Sequence, residues 1–349
     1  MRKDIPHNRL TFGDAECEAV LRTVRSGQWA QGPRVEELEN TLAQIAGVKY
    51  AVCVASGLAA LRLSLGALNA RNGDSVAVPA YSCVALANAT MAWGAKPLPG
   101  EIEDACWTLD PRACSAERIR AAIAVNTFGA PAILGEISVP VIEDCAHAFG
   151  IKVDGKSLGS RSAVGVLSFY ATKLIGGGEG GAVLTNSGEI ASFVRSTRDY
   201  GDQPAHAHRM NDKMNELEAV LVLAQLKRLP EMIAARDTVA QRYLDRFTDA
   251  RYERVFRVPA RGGPRIWYRF AVEMLRVPAE TVVRDLLPLG IHAAIPVTDW
   301  RPQGSPTAPI ADRAYRSLVS LPLYPTLTEE EQDAVVEAFL TLCEGYARA

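Results

Sequence analysis

The stretch with the most chemical potential is Ser168-Phe-Tyr-Ala-Thr-Lys173, followed by the glycine-rich run Gly176-Gly-Gly-Glu-Gly-Gly181. Glycines let backbone approach a ligand closely. A lysine beside them can bond an aldehyde cofactor as an imine once its ammonium loses a proton. A solvated loop lysine is the plain alternative. Upstream, Val139-Pro-Val-Ile-Glu-Asp144 ends an expected strand in a carboxylate, with His147 three residues on. Ligands of open α/β sheets gather beyond the carboxyl ends of strands, where Asp144 projects. A pyridine ring used as an electron sink needs such an anion beside its nitrogen, and His147 could touch a phenolic oxygen on the same ring. Capping of a helix by Asp144 and a structural role for His147 are the alternatives. Phosphate needs donors, and the strand-turn-helix at Ser56-Gly57-Leu58 offers free amides at a helix start. Ser168 adds a hydroxyl. Lysine, carboxylate and phosphate donors together suit pyridoxal phosphate (PLP).

These groups must be held by a scaffold, and strand and helix patterns alternate to supply it. Val35, Leu38, Leu42 and Ile45 have helical spacing, and Gly47 can close that helix. Short apolar runs predict strands at 50–55, 75–78, 121–125, 139–143, 164–169 and 181–185. Helices are expected at 58–68 and 83–93. This pattern predicts an α/β domain with a largely parallel sheet. From about Asn215 the character changes. Helices are expected at 216–229 and 231–247, separated by Pro230, then a strand at 266–272 and helices near 280–287 and 329–346. The division expected is a large domain over 1–230 and a smaller α/β domain over 231–349.

Bulk composition narrows the function. The 349 residues carry 38 Lys plus Arg against 40 Asp plus Glu, so nothing argues for nucleic acid or an anionic membrane as partner. No apolar run approaches the ~20 residues of a membrane span, and the N-terminus lacks the apolar stretch of a secretory signal. Seven cysteines without CxxC pairs fit a reducing cytoplasm, and no metal-ligand pattern is present. The first strand-turn-helix reads Ala-Ser-Gly-Leu-Ala-Ala, not GxGxxG, against a nucleotide-binding oxidoreductase.

The segments ASGLAALRLSL, VAVPAYSCVALANA, VIEDCAHAFG, VLSFYATKLIGGGEGGAVLTN, NDKMNELEAVLVLAQL and SLPLYPTLTEEEQ resemble the DegT/DnrJ/EryC1/StrS family of PLP-dependent sugar aminotransferases. The resemblance implies a fold-type I PLP transferase working as a homodimer with shared active sites. By position, Lys173 is the cofactor lysine and proton carrier, Asp144 faces the ring nitrogen, and His147 lies near the phenolic oxygen. Gly57, Leu58 and Ser168 lie on the phosphate, and Asn211 reaches the phosphate of the neighbouring subunit. The family's reaction takes an amine from an amino-acid donor such as glutamate to a keto group, often on a nucleotide-linked sugar. Three positions depart from its pattern. Leu58 stands where Thr is usual, Cys83 where an aromatic ring commonly stacks on the cofactor, and Asn126-Thr-Phe-Gly129 where His-x-x-Gly is frequent. Two relatives of the reading stay open: a catalytically silent binding protein, which Leu58 and Cys83 suggest, and a sugar dehydratase, which would carry histidine at Lys173.

Overall fold

Glycine and proline set several element boundaries. The computed structural model describes residues 4–115, 119–201, 209–261 and 263–348. Helices α1 (Asp14–Ser26) and α2 (Pro33–Ala46) each end on a left-handed glycine, Gly27 and Gly47. Then come β1 (Tyr50–Val54), α3 (Gly57–Ala67), β2 (Ser75–Pro79), α4 (Ala85–Ala92), β3 (Lys96–Gly100), β4 (Ile119–Val125) and β5 (Val141–Asp144). A small hairpin, β6 (Lys152–Val153) and β7 (Lys156–Ser157), precedes β8 (Val164–Ser168) and β9 (Gly181–Thr185). Helices α5 (Gly188–Thr197), α6 (Glu216–Lys227) and α7 (Leu229–Arg246) follow. The chain closes with β10 (Phe256–Arg257), β11 (Phe270–Met274), α8 (Ala279–Leu286), α9 (Pro309–Ser317), β12 (Leu318–Leu321) and α10 (Glu329–Arg348).

The main sheet has seven strands in the order β1-β9-β8-β5-β4-β2-β3. Strands β8, β5, β4, β2 and β3 pair in parallel, while β9 runs antiparallel to both β8 and β1. Alternation along each strand buries both faces. Val52 and Val54 of β1 pack into one cluster with α3, and Ala51 and Cys53 pack into another with α2 and α6. Each large apolar side chain buried this way contributes about 1.5–3 kcal/mol. Strand β3 carries Pro97 and Pro99 and occupies the sheet edge, where a missing N–H is tolerated.

A second, antiparallel sheet, β10-β11-β12, packs with α7, α8 and α10 around its own core. The strand expected at 266–272 is displaced: β11 begins at Phe270, and Ile266 instead donates its N–H to the Gly129 carbonyl at 3.0 Å. Gly129 has φ +92°, and a Cβ there would lie 1.5 Å from the Ile266 oxygen. The N-terminal segment straps onto the second sheet. Ile5 bridges Ile291, its N–H donating to the Gly290 carbonyl at 2.8 Å, and its side chain joins that core. Among the described residues no helix is long and apolar enough to cross a membrane.

Candidate active site

Five strands of the main sheet point their carboxyl ends at one cavity of about 290 Å³. Ser56, Gly57 and Leu58 follow β1, Tyr81, Ser82 and Cys83 follow β2, and Thr127 and Phe128 follow β4. Asp144, Ala146 and His147 come from the end of β5, and Ser168, Tyr170 and Lys173 from the end of β8. Parallel pairing therefore gathers residues far apart in sequence onto one rim.

At one end of the cavity, Ser56 caps α3, its hydroxyl accepting the Ala59 N–H at 3.1 Å. The Gly57 and Leu58 amides have no partner within the helix, as in any first turn. A Cβ on Gly57 would lie 2.7 Å from the Ser168 Cβ, so glycine is what lets the helix start and the Ser168 hydroxyl share this corner. Donors at a helix N-terminus with a hydroxyl beside them form an anion cradle.

Asp144 is 3% exposed. Burial pushes its pKa up; the Ala146 N–H, which it accepts at 2.8 Å, and the Lys173 charge pull back without overcoming burial. No helix follows it, so it is not a helix cap. Its neighbour Glu143 is also fully buried but is paired with Arg161 at 2.6 Å and accepts the Gly159 N–H. Asn126 belongs to that network, binding Glu143 at 3.2 Å and Arg161 at 3.0 Å.

Lys173 hangs from a loop pinned to the sheet. Phe169 donates to Gly180, Ala171 to Gly178 and Gly177 to Phe169, all through backbone at 2.8–3.0 Å. The Lys173 ammonium lies 5.2 Å from the centre of the Tyr268 ring. Tyr268 stacks on His147 with centroids 4.3 Å apart and 12° between planes, and His147 accepts the Phe128 N–H at 3.4 Å. Burial drives the His147 pKa well below its usual value, aided by the Lys173 and Arg269 charges, so its ring is neutral. The Tyr81 hydroxyl, on a side chain 1% exposed, lines the cavity with no hydrogen-bond partner among the described residues.

Residues 11–340 match the DegT/DnrJ/EryC1/StrS aminotransferase family. The chain belongs to this family. It is 30% identical to the UDP-2-acetamido-2-deoxy-3-oxo-D-glucuronate aminotransferase of Pseudomonas aeruginosa, over 93% of this chain and 95% of that one. It is 29% identical to the dTDP-3-amino-3,4,6-trideoxy-alpha-D-glucose transaminase of Micromonospora megalomicea subsp. nigra, over 94% of each. Its fold matches that of an aminotransferase from Streptoalloteichus hindustanus with a TM-score of 0.91 at 26% identity, over 99% and 100% of the two chains. The protein is thus a PLP-dependent aminotransferase of the fold-type I architecture.

The residues of this aminotransferase fit that cofactor. One cavity offers an anion cradle where a Cβ is excluded, a buried carboxylate, a lysine and an unpartnered buried hydroxyl. Lys173, Asp144, His147, Gly57, Leu58, Ser168 and Cys83 all line it. Cys83 is exposed, and Leu58 presents an apolar side chain where the family usually has a hydroxyl. Asn211 is not part of this lining and is exposed. The helix behind it is capped by Asn215, in a reciprocal box with Glu218, so Asn211 is not the cap. Sequence reasoning did not find Tyr268 and Arg269 as site residues, because contacts across the fold place them: the clasp between Gly129 and Ile266, and Arg236 donating to the Trp267 and Tyr268 carbonyls. The glycine was visible in the sequence; its partner was not.

Proposed function

We propose that this aminotransferase moves an amino group from glutamate to a keto group on a nucleotide-linked sugar, as a cytoplasmic homodimer with shared active sites. The observation that carries the reading is the placement of Lys173 and the buried Asp144 on one cavity at the ends of parallel strands. The nucleotide-sugar acceptor rests on the names of the two curated relatives.

Lys173 would hold the cofactor through its Nζ, Gly57 and Leu58 amides and the Ser168 hydroxyl would hold its phosphate, and Cys83 would lie over its ring. The bound group supplies an electron sink for charge on the carbon that loses a proton. Asp144 would supply the anion that such a sink needs. Lys173 Nζ would hold and move the proton during transfer. Neutral His147, held by Tyr268 and the Phe128 N–H, would help to orient the cofactor. Asn211 would serve the partner's phosphate. Exposed Leu10, Phe12 and Tyr170 around the Lys173 loop support a covering subunit. The division into domains is proposed near residue 230, where α6 passes to α7.

Borohydride reduction of the holoenzyme followed by peptide mapping tests the reading. A pyridoxyl adduct on Lys173, and loss of glutamate-driven amine transfer in Lys173→Ala, are expected. An adduct on another lysine would overturn it.

A further inference from the structure

Beside the main cavity is a polar pocket of about 70 Å³, lined by His7, Asn8, Thr172, Tyr268, Arg269 and Ser320 among others. Tyr268 lines this pocket and its ring stacks on His147, which lines the main cavity. Arg269 makes no ion pair among the described residues; its one hydrogen bond there is from Nη1 to His7 Nε2 at 3.1 Å. Ser320 Oγ also meets that nitrogen, at 2.8 Å. Two donors aimed at one ring nitrogen require a neutral imidazole, so His7 supplies no counter-charge. The remaining guanidinium donors are left for another acceptor.

We propose that Arg269 anchors a carboxylate of the amino donor. The proposal rests on the transamination reading and extends it to donor recognition. Arg269 Cζ and Lys173 Nζ lie 5.4 Å and 5.2 Å from the same Tyr268 ring centre. The donor's nitrogen must come to the place Lys173 occupies, and the carboxylates of a dicarboxylic amino acid lie within roughly 3–6 Å of that nitrogen by covalent geometry. A pocket of this size admits a carboxylate and not a sugar ring. Guanidinium binds carboxylate by paired, charge-assisted hydrogen bonds, a geometry ammonium cannot copy. The field agrees: burial raises the Tyr268 phenol's pKa, but the Lys173 charge, then Arg269, with the Thr172 hydrogen bond and Arg236, bring it down overall. A carboxylate could also arrive on a uronate-type acceptor, and the test separates the two sources.

Calorimetric titration of the holoenzyme with glutarate, which has both carboxylates and no amine, reads the donor site without turnover. UDP-glucuronate reads an acceptor carboxylate. Arg269→Met is expected to weaken glutarate about tenfold or more and raise the KM for glutamate more than it lowers kcat. It should leave UDP-glucuronate within about twofold, which is within ordinary scatter. Arg269→Lys should fall between, and the visible absorbance of the lysine-bound cofactor confirms an intact site in either variant. Should Arg269→Met fail to load cofactor, Arg269→Lys carries the test: unchanged glutarate affinity there overturns the proposal. Unchanged glutarate affinity in Arg269→Met, selective loss of UDP-glucuronate, or a wild-type holoenzyme that ignores glutarate would each overturn it as well. If glutarate binding depends on Arg269 but no amine is transferred, the anchor stands and the transamination reading fails.

Discussion

Acid should release the N-terminal strap through His7. Burial and the Arg269 charge lower the His7 pKa from its usual 6.5 to about 3. The state in which the strap is detached therefore binds a proton that the docked state refuses. The stabilisation is fully present above pH 6.5 and is lost as pH falls towards 3. With those two values, proton linkage removes about 2 kcal/mol of docking stability by pH 5 and about 3 kcal/mol by pH 4. His7→Gln keeps an acceptor for Ser320 and Arg269 but cannot titrate. Amide exchange of the segment around Ile5, compared between wild type and variant at each pH from about 7.5 to 5, isolates the effect. The variant should hold its protection where the wild type loses it. Equal loss in both proteins, or an NMR titration of His7 near 6.5 in the folded protein, would refute the argument.

Asp144→Asn should stabilise the cofactor-free protein by on the order of 1 kcal/mol at neutral pH, because burial raises this carboxyl's pKa and penalises its ionised form. Calorimetry should show that gain disappearing at acid pH, where the wild-type group is protonated too. The same variant should slow single-turnover reaction with glutamate by the equivalent of about 3–4 kcal/mol. Gly129→Ala forces a Cβ to within 1.5 Å of the Ile266 carbonyl at φ +92°. A loss of about 3 kcal/mol in urea unfolding and displacement of Tyr268 from His147 should follow. Mixing Lys173→Ala with Asn211→Ala chains should restore part of the activity once mass spectrometry shows subunit exchange, since one site of each mixed dimer then carries neither lesion.

The parts of the site that lay on regular elements were readable from sequence. Strands β1, β4, β5 and β8 are apolar runs ending in turn residues, so the positions of Ser56, Asp144 and Ser168 followed from pattern alone. Lys173 stood out by its glycines. Strand β3 did not, because Pro97 and Pro99 disguise an edge strand whose pairing is decided by its neighbour. The Asn215–Glu218 capping box has a sequence signature, and it shows why Asn211 is free for another role. Helix α1 buries the polar Glu16 and Thr23 rather than large apolar side chains, and it and the strap are held by side-chain partners: Gln225 donates to both Thr11 and Glu16, and Arg9 pairs with Glu331. Tyr268 and Arg269 lie in the expected strand 266–272 but fall before β11, and His7 comes from the strap, so local pattern does not announce that they meet. Their meeting is set by the Gly129 clasp and by Ser320, which are contacts across the fold.

The bond between His7 and Ser320 spans 313 residues of chain. At ordinary rates of synthesis, roughly 5–20 residues per second, the strap waits about 15–60 s on the ribosome before its docking partner exists. During that interval His7 has no Ser320 hydroxyl to hold it against Arg269. The pocket next to Lys173 is consequently among the last parts of the molecule to form, and a chain stalled before Ser320 would emerge with its main sheet built and this corner of the site still open.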